Sequence, residues 1–286
     1  NDVYFIPAGA YLIEPIKVPD NKTIIFSNVT LKRNKHINEP LIEFGANTII
    51  YGSLRVDGNK NEVNKGEVGI QLNHDTQVFG ILEVFNNSRH GIMVGSDSYI
   101  ANIKAYNNGF NFGSSGTGDG VYLVNVNNTT LERVESYGNA RNGLSITTYD
   151  NATEKLDRTL SSGVVVNGGV INNNGYMDVD CEGVMDVKIA NLTKSGKVAG
   201  SDSANCYYTN LDVKSFYADE SNYIVVEKVG VNPMGDVSQV FYLRGNGLKI
   251  DNVTINDTAA SYTSNTFQVV DSKGLGVVKN IHIKNG

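Results

Sequence analysis

Hydrophobic and polar residues alternate with a period of two along most of the chain, which is the pattern of a β-strand with one buried face. The longer alternating segments span 48–56, 76–84, 98–105, 129–136, 163–171 and 187–194. Shorter segments that begin with glycine lie between them, at 69–72, 91–94, 120–123 and 143–146. No window keeps the helical period, so the pattern predicts an all-β protein.

Corners rich in asparagine follow most of the longer segments, and these corners share one frame. One column of the frame is asparagine alone, and it comprises Asn59, Asn87, Asn108, Asn139 and Asn174. The spacing between corners varies while the frame returns, which is typical of a solenoid with loops inserted at one corner. We therefore predict one domain, residues 1–286, that forms a parallel β-helix of about ten coils.

Stacking of coils explains this pattern physically. A single coil cannot bury its apolar face, but coils stacked at about 4.8 Å form parallel sheets around an interior of Ile, Val and Leu. Asparagines in one column would then bond to the amides of the coils above and below. The chain begins and ends on strands, which leaves both ends of the stack uncovered. We expect a fragment of a longer chain, or partner chains that cover the ends.

Composition narrows the classes of partner. The net charge is -6 and the pI is about 5.3, which argues against a groove that binds nucleic-acid phosphates. No apolar run approaches the length of a membrane-spanning helix, so we predict no membrane insertion. Cys181 and Cys206 lie about one repeat apart, and we expect stacked buried thiols, with a disulfide as the alternative.

Four segments carry a resemblance to a known superfamily: "VYFIPAGAYLIEPIKV", "LRVDGNKN", "GDGVYLVNVNNTTLERVESYGNARNGLSI" and "GGVINNNG". They resemble the right-handed single-stranded parallel β-helix of pectate-lyase-like proteins, with phage tailspike and appendage proteins nearest, and mannuronan epimerases and polygalacturonases more distant. The resemblance implies recognition of a host-surface capsule, cell-wall polysaccharide or teichoic acid. It also implies a homotrimer located on a virion tail or outside the cell. These motifs belong to the scaffold, so they indicate fold more strongly than activity.

The segment "HGIMVGS" at 90–96 resembles a polygalacturonase motif in which a histidine lies beside catalytic aspartates. The accompanying "NTD" and "GDD" motifs do not occur in this sequence, and neither does the "YGxDxxH" heptad of the epimerases. We interpret His90 chiefly as a corner residue and keep it among the candidate residues for substrate binding.

Charged residues that lie just before the glycines of the short segments suggest a site that binds or cleaves a sugar chain. Arginine forks bind carboxylates or phosphates, and aromatic rings stack on sugars. Asp178, Asp180 and Glu182 alternate along one strand, where like charges repel unless a cation, a sugar or acid–base chemistry offsets the repulsion. The candidate catalytic residues are Asp119, Asp178, Asp180 and Glu182, and the candidate substrate-binding residues are Arg89, His90, Tyr122, Arg141 and Tyr149. We expect no cofactor, with a calcium ion on the acidic trio as the alternative.

Three functions remain open. The first is a glycan-binding fibre β-helix, with or without depolymerase activity. The second is a free polysaccharide lyase, glycoside hydrolase or uronan epimerase. The third is a structural or adhesive solenoid whose charged corners are only its solvated face. The polar residues and the long polar segment 147–162 favour the first two, and the missing catalytic motifs favour the first over the second.

Overall fold

A computed structural model of the chain describes residues 2–35, 37–60, 67–111, 113, 117–148, 161–233, 240–257, 267–271, 273–274 and 276–285. Within these ranges the regular elements are β-strands, and they join in one continuous 23-stranded sheet. The strand pairings are parallel from the first coil to the last. The chain is a right-handed single-stranded parallel β-helix, as the sequence predicts.

Two ladders of strands run the length of the β-helix. The long-strand ladder consists of β1 Asp2–Ile6, β2 Gly9–Ile13, β4 Lys22–Arg33, β6 Ile49–Asp57, β8 Gln77–Phe85, β10 Tyr99–Tyr106, β12 Thr130–Tyr137, β14 Val165–Asn172, β16 Lys188–Leu192, β19 Val225–Val231, β21 Lys249–Asp257 and β23 Val277–Asn285. The short-strand ladder consists of β3 Ile16–Val18, β5 Ile42–Phe44, β7 Ile70–Leu72, β9 Ile92–Val94, β11 Val121–Val124, β13 Leu144–Thr147, β15 Val179–Glu182, β17 Ser195–Ser201, β20 Phe241–Asn246 and β22 Phe267–Asp271. Strand β18, Tyr207–Asn222, belongs to both ladders. The strands predicted from alternation agree with the observed ones to within two residues.

The interior of the coils is an apolar core. In β9, Ile92 and Val94 are buried while Met93 between them is partly exposed, and β5, β7, β11, β15 and β20 repeat this alternation. Leu82 and Leu123 have no exposed surface. Each such side chain stabilises the fold by about 1.5–3 kcal/mol relative to full exposure.

The predicted asparagine ladder is present from Asn87 to Asn174. The side-chain Oδ1 of Asn108 accepts hydrogen bonds from the backbone N–H and the Nδ2 of Asn87, at 3.1 and 2.9 Å. Asn139 accepts the same pair from Asn108, and Asn174 accepts it from Asn139. Each amide therefore satisfies buried donors of the preceding coil.

The prediction that Asn59 belongs to this ladder is wrong. Asn59 adopts a φ of 50°, the left-handed conformation that Asn86 and Asn107 adopt one position earlier in the frame. Its Nδ2 donates to the carbonyl of Arg33 instead. Consistently, the Oδ1 of Asn87 has no hydrogen-bond partner among the described residues, because the first corner is shifted by one residue.

Glycines directly precede the short strands β7, β9, β11 and β13 because the asparagine ladder lies against these positions. A Cβ on Gly120 would stand 2.2 Å from the Oγ of Ser136 and 2.6 Å from the Nδ2 of Asn139. Gly69, Gly91 and Gly143 approach the neighbouring ladder asparagines in the same way. The Gly-apolar-x-apolar motif is thus a requirement of close packing.

The two cysteines are buried free thiols, so the disulfide alternative is not formed. Burial raises the pKa of the Cys181 thiol well above its ordinary value. Among the described residues, no helix has the length and apolar character needed to cross a membrane.

Candidate functional site

A second ladder of side chains lies at the corner before the short strands. The Nδ1 of His90 accepts the backbone N–H of Asp119 at 3.2 Å. The Oδ1 of Asp119 accepts the N–H of Asn142 at 2.9 Å, and the Oδ1 of Asn142 accepts the N–H of Met177 at 3.1 Å. The alignment predicted from the sequence, with His90, Asp119 and Asn142 in one column, is therefore confirmed.

His90 is neutral in this arrangement. Its Nδ1 serves as an acceptor, which a protonated nitrogen cannot do. Burial, followed by the charges of Arg89 and Arg141, lowers the pKa of His90 to about 3. The ring also stacks on Tyr122 with a centroid distance of 4.3 Å and an interplanar angle of 4°. His90 is thus a buried corner residue that supports the tyrosine.

Asp119 is a fully buried carboxylate with one incompletely satisfied oxygen. Its Oδ2 lies 3.5 Å from the Nδ1 of His90 and 3.8 Å from the Nη1 of Arg141. That oxygen has no hydrogen bond within the described part of the chain. Burial raises the pKa of Asp119, while the charge of Arg141 opposes the shift. Arg141 keeps 36% of its side chain exposed, so the charge that balances Asp119 stands at the surface.

Asn142 connects Asp119 to the next acidic residue, Asp180. The Nδ2 of Asn142 donates to the Oδ2 of Asp180 at 3.1 Å and to the Oγ of Ser145 at 2.8 Å. Burial, followed by the charge of Glu182, raises the pKa of Asp180 to about 6. Asp180 is therefore half protonated near pH 6.

The outer face of the short-strand ladder brings several predicted residues together. Tyr122 is in register with Ser145, and Ser145 with Asp180, so these side chains share one outward column. Glu182 lies two residues beyond Asp180 on the same face, where both are partly exposed. We call the exposed group the candidate site, and its members are Arg89, Tyr122, Arg141, Asp180 and Glu182.

The prediction that Asp178 shares this outward face is wrong. Asp178 is 5% exposed, and its Oδ1 accepts the N–H and the Nδ2 of Asn174 at 3.1 and 2.9 Å. Its Oδ2 accepts the N–H of Lys197 at 2.7 Å. Asp178 stands where the preceding coil has Gly143, at the corner before the strand, so the alternation of β15 does not extend to it. The carboxylate ends the asparagine ladder.

Two further predictions have different outcomes. Tyr149 and most of the segment 147–162 lie outside the described residues. The three carboxylates of the acidic trio do not share one face, because the oxygens of Asp178 accept hydrogen bonds from Asn174 and Lys197. A calcium ion at this place stays a prediction. The described ranges contain no group of three metal-binding side chains.

The sequence reasoning missed the bridging role of Asn142. Its position before Gly143 places it in the column of His90 and Asp119, which was the available signal. The side chain of Asn142 reaches the next coil, where its Nδ2 donates to the carboxylate of Asp180. Chemically, the candidate site offers cations for acidic groups, an aromatic ring, and one protonatable carboxyl beside a second carboxylate.

No protein-family model matches the sequence, and no curated protein matches it. Solved structures do match. The full-length tailspike protein 2 from Escherichia coli O157:H7 bacteriophage CAB120 superposes with a TM-score of 0.58 at 11% identity, over 99% of this chain and 42% of that chain.

Two enzymes are similar in the same way. The A-module of the Azotobacter vinelandii mannuronan C-5 epimerase AlgE4 has a TM-score of 0.52 at 15% identity, over 99% of this chain and 88% of that chain. A Yersinia enterocolitica family 28 exopolygalacturonase has a TM-score of 0.50 at 10% identity, over 98% of this chain and 69% of that chain. At these identities the likeness shows the fold, and it confirms the predicted resemblance to pectate-lyase-like β-helices at that level.

Proposed function

We propose that this chain binds an extended cell-surface polysaccharide on the outer face of its short-strand ladder. The observation that carries the proposal is the assembly of the candidate site around two carboxyls with raised pKa values, the buried Asp119 and the partly exposed Asp180. Carboxyls whose pKa values are raised by desolvation are costly for a scaffold and concentrate at functional sites. The similarity to polysaccharide-related β-helices supports the proposal.

Arginine and tyrosine give the candidate site its chemistry for sugars. Arg141 is partly exposed beside Asp119, and Arg89 is exposed on the adjacent corner. Guanidinium groups bind carboxylates in a bidentate manner, which favours a polysaccharide with acidic sugars. Tyr122, held by the ring of His90, offers an aromatic edge and a hydroxyl.

A glycan array that spans neutral and acidic bacterial surface polysaccharides, with mannuronan and polygalacturonan included, tests the proposal. We expect the protein to bind an acidic member, and Arg141→Ala to lose about tenfold or more in affinity because a charged contact contributes about 1.5–3 kcal/mol. Arg55→Ala is the matched control, since Arg55 is an exposed arginine paired with Glu83 on the long-strand ladder. An array without binding would instead favour a structural or adhesive solenoid.

We further propose that the bound polysaccharide is cleaved, with Asp180 as the proton donor. A carboxyl with a pKa of about 6 retains a proton that an ordinary aspartate has lost, and Glu182 supplies a second carboxylate on the same face. Asp180→Asn should abolish cleavage of the polysaccharide, measured as the formation of shorter fragments. Binding of the polysaccharide should persist, because the asparagine still accepts the hydrogen bond from Asn142. Asp251→Asn, on the long-strand ladder, is the control. An unchanged rate of fragment formation by Asp180→Asn would contradict this role.

The third part of the proposal concerns biological context. A β-helix of this kind that recognises a host glycan fits a virion tail appendage or an extracellular protein, and we propose a homotrimer. The likeness to a phage tailspike supports this assembly. Light scattering of the full-length protein should give three times the mass of the chain. A strict monomer would count against the virion appendage and favour a free polysaccharide lyase, hydrolase or epimerase.

A further inference from the structure

The outward column that contains Tyr122 and Asp180 continues past the candidate site. Asp180 is in register with Ala199, and Ala199 is in register with Tyr217. The coil before Asp180 presents Ser145, so a small side chain stands on each side of the carboxyl. Ser145 and Ala199 are both covered by the taller side chains around them. Asp180 therefore lies between two small residues of the column, with a tyrosine one rung beyond each of them.

Both tyrosines have a second ring behind them, on the side away from Asp180. His90 stacks on Tyr122 from the preceding coil, with centroids 4.3 Å apart. Tyr242 stacks on Tyr217 from the following coil, with centroids 5.1 Å apart and an interplanar angle of 14°. The side of each tyrosine that points toward Asp180 is next to a small residue rather than another ring.

Tyr217 is also fixed at its hydroxyl. The hydroxyl donates to the Oδ2 of Asp219 at 2.9 Å. Asp219 is itself held by Arg244, whose Nη2 lies 2.8 Å from the same oxygen and whose Nε donates to Oδ1. A ring held in this way loses little conformational entropy when it contacts a ligand, which is the condition for an effective binding platform.

We propose that Tyr217 is a second aromatic contact for the polysaccharide, two rungs beyond Asp180, so that the sugar chain lies along the axis of the β-helix from Tyr122 to Tyr217. This inference rests on the function proposed above. The two tyrosines are four rungs apart, about 19 Å at the spacing of parallel strands. A fragment of one or two sugars can touch only one of them, whereas a longer oligosaccharide contacts both and passes over Asp180.

The test measures how affinity depends on the length of the sugar chain. The probes are sized fragments, prepared by partial acid hydrolysis, of the polysaccharide that the parent protein binds most strongly on the array. We expect Tyr217→Ala to weaken binding of long fragments about tenfold, as loss of one aromatic contact would, and to leave binding of disaccharides unchanged. Tyr217→Phe keeps the ring and its stacking on Tyr242 but loses the bond to Asp219, so it should retain most of the affinity that Tyr217→Ala loses.

Tyr207→Ala is the matched control. Tyr207 lies in the same strand, β18, and its hydroxyl donates to Glu227 in the same manner, but on the long-strand ladder. Parent-like binding of long fragments by Tyr217→Ala would overturn the axial arrangement while leaving the proposed function intact. An equal loss for short and long fragments would also overturn it, since the residue would then act on the fold or on the Tyr122 end. A blank array for the parent would refute the proposed function itself.

Discussion

Replacing Asn108 with leucine is the sharpest perturbation of the asparagine ladder. The Oδ1 of Asn108 accepts two hydrogen bonds from Asn87, and its Nδ2 donates to Asn139 at 2.9 Å. Leucine has a similar volume but leaves the N–H and one amide hydrogen of Asn87 buried without acceptors. Each unsatisfied buried group costs about 1–3 kcal/mol, so the loss of two acceptors should lower the free energy of unfolding by roughly 2–6 kcal/mol.

Thermal and denaturant unfolding measure this loss. For a chain of this size, 1 kcal/mol corresponds to about 2–4 °C, so the melting temperature should fall by roughly 4–24 °C. Asn172→Leu is the control, because Asn172 lies outside the ladder and its Nδ2 makes one exposed bond to the carbonyl of Lys194. If the two variants lost equal stability, the ladder would not carry the energy assigned to it here.

Three further predictions concern packing and pH. Gly120→Ala should destabilise the fold by about 1–3 kcal/mol by overpacking, whereas Gly230→Ala, whose nearest added contact is 3.7 Å, should be tolerated in the same melting assay. The pKa of His90 falls from 6.5 to about 3 on folding, so its contribution to stability is complete above pH 6.5 and is lost as the pH falls toward 3. His90→Asn keeps an acceptor and should therefore lose less free energy of unfolding than the parent between about pH 7 and pH 4; an equal loss would contradict the neutral buried ring. The pKa of Asp180 rises from 3.8 to about 6, so the folded state binds its proton more tightly and stability declines as the pH rises from about 4 to about 6. Asp180→Asn should remove this decline, on the order of 2 kcal/mol, and a decline that persists would assign it to another group.

The sequence predicts the parts of this structure that repeat. Asparagines at one corner, glycines before the short strands and alternating apolar residues each arise from stacking, and stacking repeats the same environment in every coil. Asn59 does not join the asparagine ladder because the first corner is shifted by one residue. Its side-chain amide donates a hydrogen bond to the carbonyl of Arg33 instead. Aligning the corner sequences cannot detect this shift, since an asparagine occurs at both of the adjacent corner positions in several coils.

The candidate site was predictable only where the frame is intact. The column of His90 and Asp119 follows from the glycine that comes next in each coil. Asp178 occupies the position of that glycine, and its side chain accepts hydrogen bonds from the last asparagine of the ladder. A prediction from alternation alone therefore places it wrongly on the outer face. Tyr217 was missed because no asparagine corner separates β16 from β17, and the register of Ala199 with Tyr217 depends on pairing that only the three-dimensional structure shows.

The most direct test of the central claim is an experimental structure of the protein with a bound oligosaccharide of the polysaccharide selected on the array. We predict sugar density on the outer face of the short-strand ladder, against Tyr122 and Arg141 and over Asp180. Density confined to the long-strand ladder, or a fully occupied complex in which these three side chains contact no sugar, would contradict the account.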